Sequence, residues 1–419
     1  MKSKTDKLLN DLFNLHPKYI DLSLDRLVKL LKKLGDPHLN LPKTIHIAGT
    51  NGKGSIQSFI KNIIVSNGYS CDAYTSPHLT KFNERIVINN KNISTKKLYQ
   101  TLEFVKKINN YDPITFFEIT TATAMLLFQR SNSDFLILET GLGGRLDATN
   151  IIPSKLFSII TPISYDHEEF LGNTIQKITR EKLGIINKSS FVIISKQKKE
   201  VKEFIKKKLI KNKNVYFYGK NFKINNLTNN SFQFHFDKNK RLVNKPKLHG
   251  IHQIENASVA LAFSEIMEHN GFKINFNKTN LAIKKTTWPG RIELLRYKGN
   301  RIILDGSHNE SGAESLKKFL ATNRIKPIVL FGMLNNKKID IFLKLIKTQI
   351  DSLIPIKIPN ENNSFKRKEI IERCKVHSIK YYEMKSISDF MKYISNSKNK
   401  IFLVTGSLYL VGKLRPKFL

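Results

Sequence analysis

Residues 46–55, HIAGTNGKGS, carry the glycines, lysine and hydroxyl group of a loop that cradles phosphates. The spacing is shorter than the common phosphate loop, G-x-x-x-x-G-K-[ST]. Only two residues separate Gly49 from Gly52, and Gly54 splits Lys53 from Ser55. Backbone N–H groups at a helix start attract anions, and glycines let the chain approach them closely. Lys53 adds a mobile positive charge for the β- and γ-phosphates. A second stretch, ILETGLGGRLDATN (137–150), places Glu139 ahead of a glycine-rich turn. A carboxylate beside a phosphate loop is a natural ligand for magnesium, which prefers hard oxygen donors. A solvated acid in a turn is the plainer alternative. The three glycines of the turn favour close approach by a ligand.

Other polar residues are less specific by themselves. TPISYDHEEFLG (161–172) holds Asp166 and His167; a histidine there is a general base, a metal ligand or a satisfied surface residue. Lys182, in TREKLGII (179–186), says nothing alone, and Ser76, in YTSPHL (74–79), is a hydroxyl ligand or a turn residue. LDGSHN (304–309) repeats the strand-then-acid form of Glu139. Asp305 there could accept from a ribose, and His308 could sit over a cleft.

The elements that must hold these residues are readable from periodicity. KTIHIA before the loop is a short β-branched strand. SIQSFIKNIIVSNG after it is helical, with Ile56, Phe59, Ile60, Ile63 and Ile64 on one stripe. DLSLDRLVKLLKKLGDP (21–37) predicts an amphipathic helix with Leu24, Leu27, Val28, Leu31 and Leu34 on one face. Asp21 or Ser23 would cap it, and Gly35 with Pro37 would end it. DFLILET (134–140), LFSIITPIS (156–164) and FVIISK (191–196) are continuous apolar runs, typical of strands buried on both faces of a parallel sheet. In such sheets ligands bind beyond the carboxyl ends of the strands. SFQFHFD (231–237) alternates instead, as in a half-exposed antiparallel strand, and HQIENASVALAFSEIMEHNG (252–271) returns to helix.

A break follows at KKTTWPGRIELL (284–295). Beyond it the strand-like RIILDG (301–306), PIVLFG (327–332) and KIFLVTG (400–406) alternate with helical segments. The expected fold is α/β. Residues 1–288 form a P-loop-type, mostly parallel sheet domain with an added antiparallel part, and 289–419 a smaller Rossmann-like α/β domain.

Charge is the most conspicuous feature of the composition: 71 Lys+Arg against 34 Asp+Glu, a formal +37. That balance suggests nucleic acid or anionic membrane. Yet the cations are mostly Lys, dispersed along the chain among abundant Asn and Ile, as an AT-rich genome would produce. No motif that reads DNA or RNA supports a nucleic-acid partner. Cys71 and Cys374 lie far apart without a CxxC, which fits a reducing compartment. The first twenty residues lack the apolar region of a signal peptide, and apolar runs such as ATAMLLF are far short of a membrane span. A soluble cytoplasmic protein without a membrane partner is expected.

Taken in order, the segments HIAGTNGKGS, TSPHL with FNERI, TFFEITT, ETGLGGRLDATN, DHEEFLGNT, EKLGI, HQIENA, WPGRIE, LDGSHN and TGSLYLVG resemble the folylpolyglutamate synthase/dihydrofolate synthase family, a branch of the Mur-type amino-acid ligases. The resemblance covers nearly the whole chain. It implies that Gly49, Thr50, Asn51, Gly52, Lys53, Gly54 and Ser55 cradle the ATP phosphates. It implies that Ser76, Glu139 and His167 hold magnesium, two ions in all. Lys182 matches a lysine that such enzymes carbamylate. A free ammonium beside Mg²⁺ would be repelled, whereas a carbamate is an anionic oxygen donor. Asn256, toward the adenine, and Arg291 and Asp305 match further ATP contacts, so the nucleotide would lie between the domains.

The segment IDLSL (20–24) resembles IDLGL, which lines a dihydropteroate pocket in the bifunctional bacterial enzymes. Asp21, Leu22, Ser23 and Leu24 are the implied contacts. Thr115, Phe116, Phe117 and Glu118, and Leu146, Asp147 and Ala148, match two further pteroate-contacting segments. Ser23 for glycine, Ser164 for the glycine before the Asp-His pair, Leu183 for alanine and Ser307 for alanine depart from the family pattern. None removes a charged or liganding group. The implied reaction joins a pterin-linked carboxylate to the amine of L-glutamate through an acyl phosphate, in a monomeric enzyme. Its implied ligands are ATP, dihydropteroate, reduced folates and L-glutamate. Lys53 would offset phosphate charge, and His308 is a candidate base for the amine. A Mur-type ligase acting on another carboxylate would share the loop and the lysine but leave IDLSL and TFFE unexplained.

Overall fold

The computed structural model describes residues 4–16 and 20–419. Among these described residues sixteen strands, numbered in chain order, form three sheets. The first sheet contains β1 (Lys43–Ala48), β2 (Cys71–Tyr74), β3 (Ile86–Ile88), β4 (Lys91–Asn92), β5 (Phe135–Glu139), β6 (Phe157–Ile160), β7 (Phe191–Ile194) and β8 (Val215–Phe217). Its order is β4-β3-β2-β5-β1-β6-β7-β8. From β2 to β8 every pairing is parallel; β3 and β4 add an antiparallel edge. Ile45 pairs with Ile137 on one side and Phe157 on the other, which puts β1 in the middle. The apolar runs of β5 and β6 are buried along their whole length. That is why they show no alternation.

Helices cover this sheet. Lys53–Ser66 follows β1 and buries Ile56, Phe59, Ile60, Ile63 and Ile64, but also Ser55, Gln57 and Ser58. It is therefore enclosed on more than its apolar stripe. Phe116–Gln129 buries nearly every residue and forms a core with Leu27, Leu30 and Leu31 of the helix Asp25–Lys33. The latter helix begins at Asp25 rather than Asp21, and its C-terminal turn gives way to Gly35 at φ 79°. Ser23 still serves its start: its Oγ accepts from the Asp25 N–H at 3.2 Å. A separate antiparallel sheet of β9 (Phe222–Asn225), β10 (Ser231–Phe236) and β11 (Asn239–Asn244) buries Phe232, Phe234 and Phe236. Their alternation is the one expected of a half-exposed strand.

The third sheet contains β12 (Glu293–Tyr297), β13 (Asn300–Leu304), β14 (Ile328–Phe331), β15 (Ser352–Pro355) and β16 (Ile401–Thr405), in the order β12-β13-β16-β14-β15. β12 is an antiparallel edge strand and the other pairings are parallel. The chain divides into two compact units, 1–245 with 255–286, and 246–254 with 287–419. The division falls inside the helix Ile251–His269, so a short segment ahead of the Trp-Pro-Gly break groups with the second unit. Among the described residues no helix is long and apolar enough to cross a membrane.

Candidate active site

The parallel register brings the carboxyl ends of β2, β5, β1 and β6 side by side, and the candidate residues of the first unit follow those ends. Beyond β1 runs the loop Gly49–Gly52, which ends as the N-cap of the helix Lys53–Ser66. Gly49 has φ 152°, and a Cβ there would meet the buried Thr161 Oγ1 at 1.9 Å. Gly52 has φ 89°, and a Cβ there would meet Asn256 Oδ1 at 2.8 Å. Only glycine fits these two places. The loop is fastened to the segment after β6. Thr50 N–H donates to Pro162 O (3.0 Å), Thr50 Oγ1 donates to Ser164 O (3.0 Å), and Ser164 N–H donates back to Thr50 Oγ1 (3.1 Å).

Two lysines converge on this loop. Lys53 Nζ donates to Gly49 O (3.2 Å), and Lys182 Nζ, from the helix Ile175–Leu183, donates to the same carbonyl at 3.0 Å. Lys182 is buried, and burial, reinforced by the charge of Lys53, pulls its pKa down from 10.5 to about 7. Asp166 and Asp147 act the other way and favour the cation. A desolvated amine of this kind has a substantial neutral, nucleophilic fraction near neutrality.

Ser76 follows β2 and Glu139 ends β5, and the structure brings them together: Ser76 N–H donates to Glu139 Oε2 at 3.3 Å. Glu139 is only 5% exposed, and a buried carboxylate requires positive charge or metal. His167 follows β6 with φ 52°, its N–H donating to Asp166 Oδ1 at 3.0 Å. Among the described residues no group of three or more His, Cys, Asp or Glu forms a ready-made metal cage. A carboxylate and a hydroxyl are hard oxygen donors of the kind magnesium takes, and that ion completes its octahedron with phosphate oxygens and water.

The segments expected to contact the substrate are adjacent to this edge. Thr115 and Glu118 form a reciprocal cap at the start of Phe116–Gln129. Glu118 N–H donates to Thr115 Oγ1 (3.3 Å) and Thr115 N–H to Glu118 Oε2 (2.8 Å). Phe116 stacks on Phe13 with centroids 3.7 Å apart, while the Phe117 ring lies against Gly141, where a Cβ would come within 2.5 Å. Leu22 packs with Leu142 against the core of Ile163 and Leu171. Leu146 is half-buried and Ala148 joins the core around Phe116. Asp147 is buried with both oxygens turned inward, accepting from the N–H groups of Leu142 (2.7 Å) and Thr149 (3.0 Å). Its carboxylate shapes the glycine turn. Burial raises its pKa despite these bonds.

Two residues of this region carry no motif that singles them out. Arg26 contacts Asp21 and Glu118. His46, buried within β1, lies 2.8 Å from Thr149 Oγ1, whose own hydrogen goes to Asp147. His46 Nε2 therefore carries the proton, and burial first, then Lys155, holds the ring neutral. A histidine inside an otherwise apolar strand was the available signal.

In the second unit, Arg291, Asp305 and His308 gather where β13 ends. Asp305 accepts from Ile292 N–H (3.0 Å) and Ser307 N–H (3.1 Å) and is buried. Arg291 Nη1 lies 2.7 Å from the position of a Cβ on Gly306. His308 Nδ1 is 2.9 Å from Gly306 O, and since a carbonyl only accepts, Nδ1 bears the proton.

The model of the family described as Mur ligase middle domain matches residues 47–264. Dihydrofolate synthase/folylpolyglutamate synthase of Bacillus subtilis is 32% identical over 414 residues, covering 94% of both chains. The chain belongs to the dihydrofolate synthase/folylpolyglutamate synthase branch of the Mur ligases. A second family model, dihydrofolate synthetase, C-terminal domain, matches residues 291–416 of this Mur-type ligase. Dihydrofolate synthetase of Saccharomyces cerevisiae is 31% identical, over 94% of this chain and 97% of that one. Among solved structures, E. coli FolC in complex with DHPP and ADP superposes with a TM-score of 0.88 at 26% identity, over 99% and 97% of the two chains. Folylpolyglutamate synthase of Thermotoga maritima does so with a TM-score of 0.83 at 32% identity, over 99% and 96%.

Proposed function

We propose that this ligase attaches L-glutamate to dihydropteroate, and further glutamate to reduced folates, converting ATP to ADP and phosphate. The observation that carries the reading is the convergence of Lys53 and Lys182 on the Gly49 carbonyl, at the sheet edge where Glu139 and Ser76 meet. A relative of this chain bearing both enzyme names, and a related fold solved with DHPP and ADP, support the choice of substrates.

A carboxylate is a poor electrophile, because expelling oxide from it is prohibitive. Transfer of the γ-phosphoryl group from ATP gives an acyl phosphate with a tolerable leaving group. Gly49–Ser55 hold the phosphates through loop N–H groups and the Lys53 ammonium, which offsets charge as the phosphoryl group meets the carboxylate. Ser76, Glu139 and His167 would hold magnesium, which would supply Lewis-acid polarisation of the phosphates. Asn256 buttresses Gly52 and so fixes the loop's final turn. Lys182, as its carbamate, would turn a repelled cation into an oxygen donor. Asp21–Leu24, Thr115–Glu118 and Leu146–Ala148 hold the pterin acid, Arg291 and Asp305 are further ATP contacts, and His308 is the candidate base for the glutamate amine. Residues 1–288 serve ATP and pterin, and 289–419 serve glutamate. The enzyme works as a cytoplasmic monomer.

Incubation with ATP, Mg²⁺, glutamate and either dihydropteroate or a reduced folate tests the reading. The expected product is one glutamyl unit heavier with each acceptor, and ADP forms only when acceptor and glutamate are both present. Extension of reduced folate but not dihydropteroate would restrict the enzyme to polyglutamylation. Turnover of ATP with neither acceptor would refute the reading.

A further inference from the structure

We infer that Arg26 is a positioning residue that fixes the acceptor-binding segment 21–24 in place and thereby sets affinity for the pterin acid; the inference rests on the substrate reading above. Arg26 is the second residue of the helix Asp25–Lys33, which follows that segment directly. Its guanidinium reaches back five residues to Asp21 and across to Glu118, 92 residues away in sequence. Nη1 donates to Asp21 Oδ2 and Nη2 to Asp21 O, each at 3.1 Å. Nε donates to Glu118 Oε2 at 3.2 Å, with Nη2 at 3.1 Å from Glu118 Oε1. Glu118 Oε2 also accepts the Thr115 N–H, so one guanidinium joins segment 21–24 to the cap of the helix that bears Phe116 and Phe117.

Three features make this a fixed link rather than a surface ion pair. The Glu118 side chain is 4% exposed and that of Arg26 23%, so the pair is little screened by solvent. The contact to Asp21 includes its backbone carbonyl, which fixes the path of the chain and not only a side chain. Asp21 also sits 3.5 Å from His16 Nε2, which gives the segment a second anchor. Segment 21–24 lies ahead of the helix, which begins at Asp25; Leu24 O accepts from Val28 N–H at 2.9 Å and Asp21 O from Ser23 N–H at 3.1 Å, and Arg26 adds the link to an element remote in sequence. Guanidinium geometry is required: five donors in a planar fork serve two carboxylates and a carbonyl, and an ammonium cannot reach all of them.

Arg26→Lys and Arg26→Met test the assignment, each assayed for KM with dihydropteroate and with ATP and for hydrogen exchange of segments 20–24 and 115–118. Arg26→Met is expected to raise KM for dihydropteroate about 10-fold or more, the loss of one charge-assisted hydrogen bond, with Arg26→Lys intermediate. KM for ATP should stay within about twofold, since the phosphate loop lies on other elements. Exchange should quicken in both segments and not in the helix Lys53–Ser66. A dihydropteroate KM unchanged in Arg26→Met would overturn the proposal, as would KM values for ATP and dihydropteroate that rise together. If the wild-type enzyme fails to use dihydropteroate, the substrate reading falls. The exchange comparison then decides by itself whether Arg26 orders the segment.

Discussion

Replacing Lys182 by methionine should remove a pH dependence of stability that the wild-type protein owes to this one buried amine. Its ammonium loses its proton near pH 7 in the folded protein, against 10.5 for an unburied lysine, through burial first and the charge of Lys53 second. Between those values the unfolded chain holds a proton that the folded chain does not. Stability therefore rises with pH across that window, by about 1.4 kcal/mol per pH unit. From pH 7 to pH 9 the gain is about 2 kcal/mol, and the slope fades well below pH 7, where both states are protonated. Methionine has a similar length and no charge, so Lys182→Met should lack the slope and be the more stable protein at pH 7. Urea unfolding of both proteins at several pH values, in buffer freed of carbon dioxide, measures the difference with all other titrations cancelled. Parallel stability curves, within about 0.5 kcal/mol over the window, would refute the assignment of a depressed pKa to Lys182. Readmitting bicarbonate should add one carbon dioxide to the native mass of the wild type and not of Lys182→Met.

Other substitutions address the loop, the metal and the cap. Lys53→Ala should lower kcat for ADP release about 100-fold or more while leaving the melting temperature nearly unchanged, the cost of one preorganised cationic donor; a loss under fivefold would contradict its role. Gly49→Ala places a methyl 1.9 Å from Thr161 Oγ1 at φ 152°. It should cost about 1–3 kcal/mol of stability and weaken ATP binding in calorimetry, and unchanged affinity would show that the close approach is not needed. Glu139→Gln should raise the magnesium concentration for half-maximal activity, measured by titration after chelation, and an unchanged requirement would remove Glu139 from the ligand set. Thr115→Ala removes a helix cap and should destabilise by about 1 kcal/mol in thermal unfolding.

The central strands and the phosphate loop were legible because their signals are local. β1, β5, β6 and β7 are short apolar runs, and the loop's glycines and lysine are contiguous. Edges were not legible in the same way. β12 alternates weakly and follows Trp-Pro-Gly, so its pairing with β13 shows only in three dimensions. β15 has four residues and ends in Pro355, too short to outweigh its polar neighbours. The amphipathic period runs back through Leu24, yet the helix starts at Asp25, because Arg26 of its first turn binds the side chain and carbonyl of Asp21 and holds the preceding segment outside the helix. Long-range requirements were hidden for the same reason. Gly52 is small because Asn256 stands over it, and Glu118 can be buried because Arg26 reaches it, and neither pairing leaves a trace in sequence spacing. The cap at Thr115 and Glu118 did leave one, a threonine three residues ahead of a glutamate before an apolar run.

The central claim is that ATP activates the pterin acid's carboxylate before glutamate attacks. Dihydropteroate carrying heavy oxygen in its carboxylate, turned over with ATP and glutamate, tests it most directly, with the isotope content of the released phosphate as the readout. Passage through an acyl phosphate predicts one labelled oxygen in each phosphate formed. Phosphate free of label, alongside a normal yield of glutamylated product, would contradict the account.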